Sequence, residues 1–449
     1  MEIPESDSIK QVVRIAAPCI VEQLLITTVG MVSVSIIGHL GGEELVASSM
    51  TNQLVMWIQS MYIGLGTGGA VVIARMWGGG EEEGVKRGFN QNLLLGVSLS
   101  LVLAVLMLVF ERKITQGLFG GADARVLDLI HMYFPYCIYS MPAIAVSTII
   151  TGSARGVGDN KTPLYSVIML DGVNMALCFV LVNGVSWLGI PRLGMLGAGI
   201  AAVTARYLNA VFTVLRVIAI KSPILPKRLQ LRFDKPMLYK MFKISVPSAF
   251  EQVVFQGGFV ILQTLLIGFG TLFQGGYQIG ANINGLINGP AMGISVAMTV
   301  LTSQAIGEQN IVRAQKLVDV SRLLVFTAFV AMGGILFVAA PFIARIFTPD
   351  AEILRVGTIF ARFFGVLIIP LAYFQTIGGI LRGSGDVKFV LLVNIASLWL
   401  IRILAIWALA RLTGNGYIAV MVGITCDFLM RAASFHIRIQ RGTWKYIRI

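Results

Sequence analysis

From Ile15 to Gly38 the chain reads IAAPCIVEQLLITTVGMVSVSIIG, with Glu22 as its one charged side chain. About 20 helical residues at about 1.5 Å each cross a hydrocarbon core, and runs of that length recur along nearly the whole sequence. In lipid the backbone must satisfy its own hydrogen bonds, which leaves helices or closed barrels. Barrel strands would alternate apolar and polar residues, and these runs do not. The expected fold is therefore an all-α polytopic membrane protein. Its twelve transmembrane helices are placed near 11–38, 44–76, 88–110, 126–154, 163–184, 195–220, 236–268, 276–306, 314–342, 355–381, 388–411 and 415–437. Composition agrees, with 56% hydrophobic and 13% charged residues against about 25% charged in soluble domains. The first run is too long, and too poor in basic residues before it, for a cleaved signal peptide, so it is read as a retained span.

The opening stretch returns halfway down the chain. Ile244 to Gly268 reads ISVPSAFEQVVFQGGFVILQTLLIG, with Pro247 and Glu251 each 229 residues after Pro18 and Glu22. Gly64 and Gly293 keep that offset, as do Gly78 and Gly307. GSARGVGDNK, from Gly152 to Lys161, returns as GILRGSGDVK, from Gly379 to Lys388, at an offset of 227. Two separate anchors at nearly one offset mean that whole halves repeat in the same orientation. The expected organisation is two repeated six-helix lobes, 1-222 and 223-449. The polar stretch from Lys221 to Lys243 joins them, and its prolines and basic residues suit a tether on the membrane surface, with a short amphipathic turn at most, better than another span. Cys19, Cys137, Cys178 and Cys426 fall inside expected spans without paired spacing, so neither a disulfide framework nor a metal site is expected.

Basic residues set the orientation. Lys10, Arg14, Arg75, Lys86, Arg87, Arg155, Lys161, the cluster from Lys221 to Lys243 and the basic residues flanking the later spans gather on one side. Only Arg112, Lys113, Arg125, Arg192, Arg345, Arg355 and Arg411 fall in the alternate loops. The basic side is expected to be cytoplasmic, with both termini inside, in a bacterial or archaeal plasma membrane. The net charge of +13 then follows from topology, and a nucleic-acid partner loses its main support.

Ionisable groups within the spans carry the chemistry. Glu22, Asp171, Glu251 and Asp427 are the acids and Arg402 the deepest cation. A charge at mid-bilayer costs at least roughly 2.5 kcal/mol, so each must be paired, take a proton or face water. Glu22 and Asp171 both lie on the order of 12 to 16 Å from the cytoplasmic end of their spans, and Asp171 shares a helix face with Asn174 three residues on. Glu22, Asp171, Asn174 and Glu251 are therefore the candidates for cation coupling. The competing reading for each glutamate is a hydrogen bond to a neighbouring helix end or loop. Arg402 and Asp427 stand at similar depths on antiparallel neighbours and read as a structural ion pair.

Amides mark a candidate substrate cavity. Gln53 and Gln59 match Asn282 and Asn288 at the 229 offset, and Asn284 shares a face with Asn288. Met56, Trp57 and Met292 beside them suit flat, greasy cations. Glycine-rich segments and Pro142, Pro290 and Pro370 allow close helix approach and bending. His39, His131 and His436 have no catalytic spacing, and neither a HExxH nor a nucleophile-and-base pattern occurs, so an enzyme is not expected.

Twelve spans in two halves, the opening P-x-x-x-E-Q-L, a first span ending in Gly38 with Gly41 after it, and R-G-x-G-D at Arg155 and Arg382 together resemble the multidrug and toxic compound extrusion (MATE) transporters along essentially the whole chain. The resemblance implies two lobes forming a V around a central cavity. It also implies export of a small organic substrate in exchange for protons or sodium ions, with no other cofactor. The protein is expected to act as a monomer in the lipid bilayer. Where many members have an aspartate on the first span this chain has Ser33, and where several have an asparagine and an acid four residues later it has Asn174 and Cys178. Asp171, supported by Glu22, is the substitute at hand. The alternative function is a flippase for lipid-linked saccharides or other lipids.

Overall fold

The computed structural model describes residues 5–38, 41–119, 121, 123–185, 191–228, 230–348 and 350–447, with side chains for all of these except 5–9, 28–38, 45 and 271. Its elements are α1 (Glu5–Gly38), α2 (Gly42–Gly78), α3 (Glu82–Phe119), α4 (Ala124–Tyr139), α5 (Met141–Gly156), α6 (Lys161–Asn183), α7 (Gly194–Ala219), α8 (Lys235–Ile267), α9 (Thr271–Gly307), α10 (Ile311–Leu324), α11 (Val330–Arg345), α12 (Ala351–Ser384), α13 (Val387–Ile395), α14 (Leu404–Thr413) and α15 (Gly416–Gln440). π-Helical segments, Val325–Phe329 and Ala396–Ile403, join α10 to α11 and α13 to α14 without breaking either rod. Among the described residues ten helices are long and apolar enough to cross a membrane, or eleven with the bent pair α4–α5 taken as one. The remaining expected span, 11–38, lies in α1, and the side chain of Ser33 and all of His39 fall outside what is described.

Of the three prolines expected to bend helices, Pro142 follows a real break, 44° between α4 and α5 at Ser140. Pro290 and Pro370 sit inside continuous helices, α9 and α12. Large apolar side chains stay outside, Val109 at 70% and Val338 at 71% exposure, as expected where lipid is the solvent.

By contacts the chain forms two compact units: the chain up to Leu24 with Phe250–Ile449, and Leu25–Ala249. Both cuts fall inside helices, α1 and α8, a few residues beyond Pro18 and Pro247. In the first unit α1 lies so close to α9 that a Cβ on Gly293 would stand 2.7 Å from Ile20 Cα. In the second, α8 meets α2 the same way, at Ala249 and Gly64. Ile20 and Ala249, like Gly64 and Gly293, are 229 residues apart, so a duplicated sequence returns as a duplicated contact. In it the opening helix of each half packs on the second helix of the other.

The R-G-x-G-D copies have the same local logic. A Cβ on Gly152 would stand 2.8 Å from the Gly66 carbonyl and one on Gly156 3.0 Å from that of Ala70, while Gly379 and Gly383 meet Ser295 and Thr299 at the repeat-related places. Helix backbones touch there because no side chain intervenes. The next glycine, Gly158 (φ 89°) or Gly385 (φ 91°), ends the helix in the left-handed region. Asp159 then accepts hydrogen bonds from Lys161 N and Thr162 N, both at 3.1 Å, to start α6, whereas Asp386 holds Arg438 by two bonds, Nε at 2.6 Å and Nη2 at 3.2 Å.

The tether between the halves is clipped in place. Asn90 of α3 donates to the Gln230 carbonyl and accepts from the Gln230 amide, and Gln91 does the same with Arg232 O and Asp234 N, at 2.8 to 3.1 Å. Two side-chain amides thus imitate a neighbouring strand. Asp234 is also paired with Arg87, and that hydrogen bond holds its carboxyl below the usual carboxylate range.

Candidate functional site

The first unit contains a connected set of buried charges. Glu251, on α8 one turn past Pro247, accepts from Arg382 Nη2 of α12 and from Asn394 Nδ2 of α13, each at 2.6 Å. Asn394 Oδ1 in turn accepts from Arg431 Nη1 of α15 at 3.3 Å, and Arg431 Nε donates to Asp427 at 2.7 Å. Arg402 closes the chain, its Nη2 2.5 Å from Asp427 Oδ2. Depth along the helices places Arg402 opposite Asp427, and the structure brings them together. Sequence reasoning misses Arg431, although that arginine stands one helical turn after Asp427. It also takes Arg382 as part of a motif rather than as the partner of Glu251.

The π segment explains why both Ser397 and Arg402 reach one carboxylate. In i→i+5 winding, residues five apart stand over one another, which the α-helix does not allow. Ser397 Oγ donates to the Asp427 carboxylate and also to the Asp427 carbonyl, at 3.0 Å. Three arginines face two carboxylates here, and phenyl rings surround the surplus charge. Arg431 has Phe374 at 5.4 Å and Phe255 at 5.9 Å, and Arg402 has Phe428 at 5.1 Å. Such a network is costly to desolvate, and losing one member is worse than never having built it.

Asp171, on α6 in the second unit, is in the opposite condition. Its Oδ2 is buried without a hydrogen-bond partner, and among the described residues no cation pairs with it. Asn174 is half-buried one turn on, and no hydrogen bond joins the two. Cys178, where the resemblance points to an acid, is 3% exposed and packs in the apolar core with Val182 and Ala198. Glu22 is buried in the first unit.

The cavity candidates lie on two helices. On α2, Gln53 and Gln59 are half-buried while Met56 and Trp57 are 53% and 39% exposed. On α9, Asn282 accepts from Gln278 Nε2 at 3.2 Å and Asn288 from Gln375 Nε2 at 3.4 Å. Asn284 is half-buried and Met292 exposed. The five amides are each only partly covered.

The model of the MatE family matches the chain twice, over residues 18–180 and 247–407, and its two copies start at Pro18 and Pro247, the repeat positions described above. The chain is a member of the MATE family of transporters. It is 23% identical over 451 residues to a probable multidrug resistance protein NorM of Thermotoga maritima, covering 99% of this chain and 94% of that one. It is 24% identical over 421 residues to the probable multidrug resistance protein YoeA of Bacillus subtilis, covering 92% and 89%. Among solved structures, a multidrug resistance MATE family transporter of the MOP superfamily in an outward-facing conformation superposes with a TM-score of 0.89 at 20% identity, over 98% of this chain and 97% of that one. Within the MATE frame the two acidic centres differ. The one around Glu251 and Asp427 is saturated with arginine, and Asp171 has no counter-charge among the described residues.

Proposed function

We propose that this MATE protein is a secondary antiporter of twelve transmembrane helices, six in each repeated half (1–222 and 223–449), with both termini in the cytoplasm. It exports organic compounds, cationic or amphipathic, in exchange for protons or, in the other arm of the test below, sodium ions. The observation that carries the reading is the orphaned Oδ2 of Asp171. A carboxylate in that position must take a proton or meet a cation. Proton and cationic substrate then compete for one charge, which is the differential binding that alternating access requires.

Asn174 is the polar neighbour one turn along α6, and Glu22, in the first unit, is a further buried carboxyl assigned to coupling. Glu251 is the counterpart in the other half, and a proton arriving there has to displace Arg382 and Asn394. Gln53, Met56, Gln59, Asn282, Asn284 and Asn288 line the substrate path. The test is movement of a fluorescent organic cation in proteoliposomes under an imposed pH gradient and, separately, an imposed sodium gradient. Gradient-driven movement under the first is expected. No gradient-driven movement under either would refute the antiporter reading.

A further inference from the structure

The connector clipped to α3 carries two large apolar side chains that the protein leaves uncovered. Leu231 is 84% exposed and Phe233 48%, although the backbone around them is fixed. Upstream, Ile224 is fully buried. Downstream, Asp234 N donates to Gln91 at 2.9 Å and α8 begins at Lys235. Asn90 holds the backbone of Gln230 and Gln91 that of Arg232 and Asp234, so every second residue is tied to α3. That pattern keeps the stretch strand-like, and in a strand residues two apart share a face. Leu231 and Phe233 therefore stand together on one face, with Arg232 between them on the other.

Level and charge select what covers that face. The apolar run of α3 starts at Leu93, two residues past Gln91 and so about 3 Å further along the axis. The connector thus lies against α3 at the edge of the hydrocarbon. Arg228, Arg232 and Lys235 are exposed, and none of them forms an ion pair among the described residues. Asp234, the one acid between Lys221 and Lys243, is paired with Arg87. Of the acids around the start of α3, Glu83 is paired with Lys86, and Glu82 stands on the order of 12 Å back along the axis from Asn90. The clipped stretch is positive where it meets the bilayer.

We infer that Leu231 and Phe233 form a wedge in the interfacial layer of the adjoining leaflet, and that Arg228, Arg232 and Lys235 bind the anionic phospholipid headgroups there. Alternation along the strand suits both tasks at once. The apolar pair reaches towards the acyl chains, while Arg232 reaches from the opposite face to the phosphates, its stem long enough to bridge the two levels. A soluble partner would have to cover Leu231 and Phe233 at a level that lipid already occupies. The inference rests on the chain spanning a membrane and not on what it exports.

The experiment is spin-label depth measurement on the full chain in nanodiscs, made either with dioleoyl phosphatidylglycerol or with dioleoyl phosphatidylcholine alone. Nitroxides go on Leu231→Cys, Arg232→Cys and Phe233→Cys in turn, each with Cys426→Ser because Cys426 is the exposed native cysteine. Collision with oxygen reports lipid, and collision with a soluble nickel chelate reports water. In phosphatidylglycerol the labels at Leu231 and Phe233 should favour oxygen and the label at Arg232 the chelate. In phosphatidylcholine the outer two labels should move towards water. Each cation near an anionic surface is worth a factor of about five in lipid preference. Arg228→Gln/Arg232→Gln/Lys235→Gln should therefore abolish the difference between the two bilayers at Leu231 and Phe233, with an unchanged melting temperature. Asn90→Ala/Gln91→Ala should erase the alternation among the three labels. Chelate access at Leu231 and Phe233 equal to that at Arg232 in phosphatidylglycerol would overturn the inference and point to a soluble partner. Equal depth in the two bilayers would overturn the assignment of anionic lipid. Because no gradient is imposed, failure here leaves the transport test untouched.

Discussion

Replacing Asp427 by Asn keeps the size of the side chain and removes its charge, which makes it the sharpest probe of the arginine-rich centre. Asp427 is fully buried and serves Arg402 and Arg431, themselves 6% and 3% exposed. In the Asp427→Asn variant both guanidinium groups face each other without a carboxylate, and Glu251 reaches Arg431 only through Asn394. Removing one partner of a buried pair costs about 3–5 kcal/mol, and the rings of Phe255, Phe374 and Phe428 offset part of it, about 0.5–2 kcal/mol. A loss of about 3 kcal/mol remains, or roughly 6–12 °C in melting temperature for a unit of 150–250 residues. Ser397→Ala removes one bond to the same carboxylate and should cost about half as much. Replacing Asp427 by Leu together with Arg402 by Met should recover part of the loss seen with Asp427→Asn. The assay is melting of purified protein in detergent, followed by size-exclusion fluorescence. If Asp427→Asn melts with the parent, the charges are not held together as described and the argument from Arg402 and Arg431 fails.

Gly156→Val should loosen α5 from α2, because its Cβ would meet the Ala70 carbonyl at 3.0 Å; overpacking of about 1–3 kcal/mol should appear as a lower melting temperature, while the same change at exposed Gly172 should not. The Asp234 clip has a defined pH dependence. A carboxyl held below its usual value stabilises the connector above the ordinary carboxylate range and stops doing so as pH falls through the lowered value. Hydrogen exchange at 230–238, corrected for intrinsic rates, should therefore be slow at neutral pH and fast in acid, and Asp234→Asn should exchange fast at both; equal protection in variant and parent at neutral pH would dismiss the clip. Cysteines at Gln53, Met56 and Asn288 should react with a water-borne thiol reagent, and inertness at all three would show that the wrong faces have been assigned to the substrate path.

The helical class and the duplication were legible because both rest on long-range regularity: uninterrupted apolar runs, and proline, glutamate and glycine recurring at one spacing. The break at Ser140 was not separable from the bends allowed at Pro290 and Pro370, since a proline near the middle of a span reads alike in each case. What differs is tertiary, with Tyr207 donating to the Tyr139 carbonyl and Arg206 to the Ser140 hydroxyl beside the break. The pairing of Arg402 with Asp427 followed from depth along two antiparallel helices. Arg382 with Glu251 did not, because residues 131 apart in sequence carry no local signal of contact. The amide clip at Asn90 and Gln91 was hidden for the same reason, as its partners are backbone groups and any sequence has those. Asp171 stood out as an intramembrane acid, and only the structure shows that its Oδ2 lacks a partner.

That lone carboxylate supports the most direct test of the account. Purified parent, Asp171→Asn and the Asp171→Asn/Glu251→Gln double variant would be reconstituted, and efflux of a fluorescent organic cation measured with an imposed pH gradient and with none. In Asp171→Asn, gradient-driven efflux should be lost while binding of the cation and the melting temperature stay near those of the parent. Full gradient-driven efflux in the double variant would contradict the account and place coupling in groups other than these carboxylates.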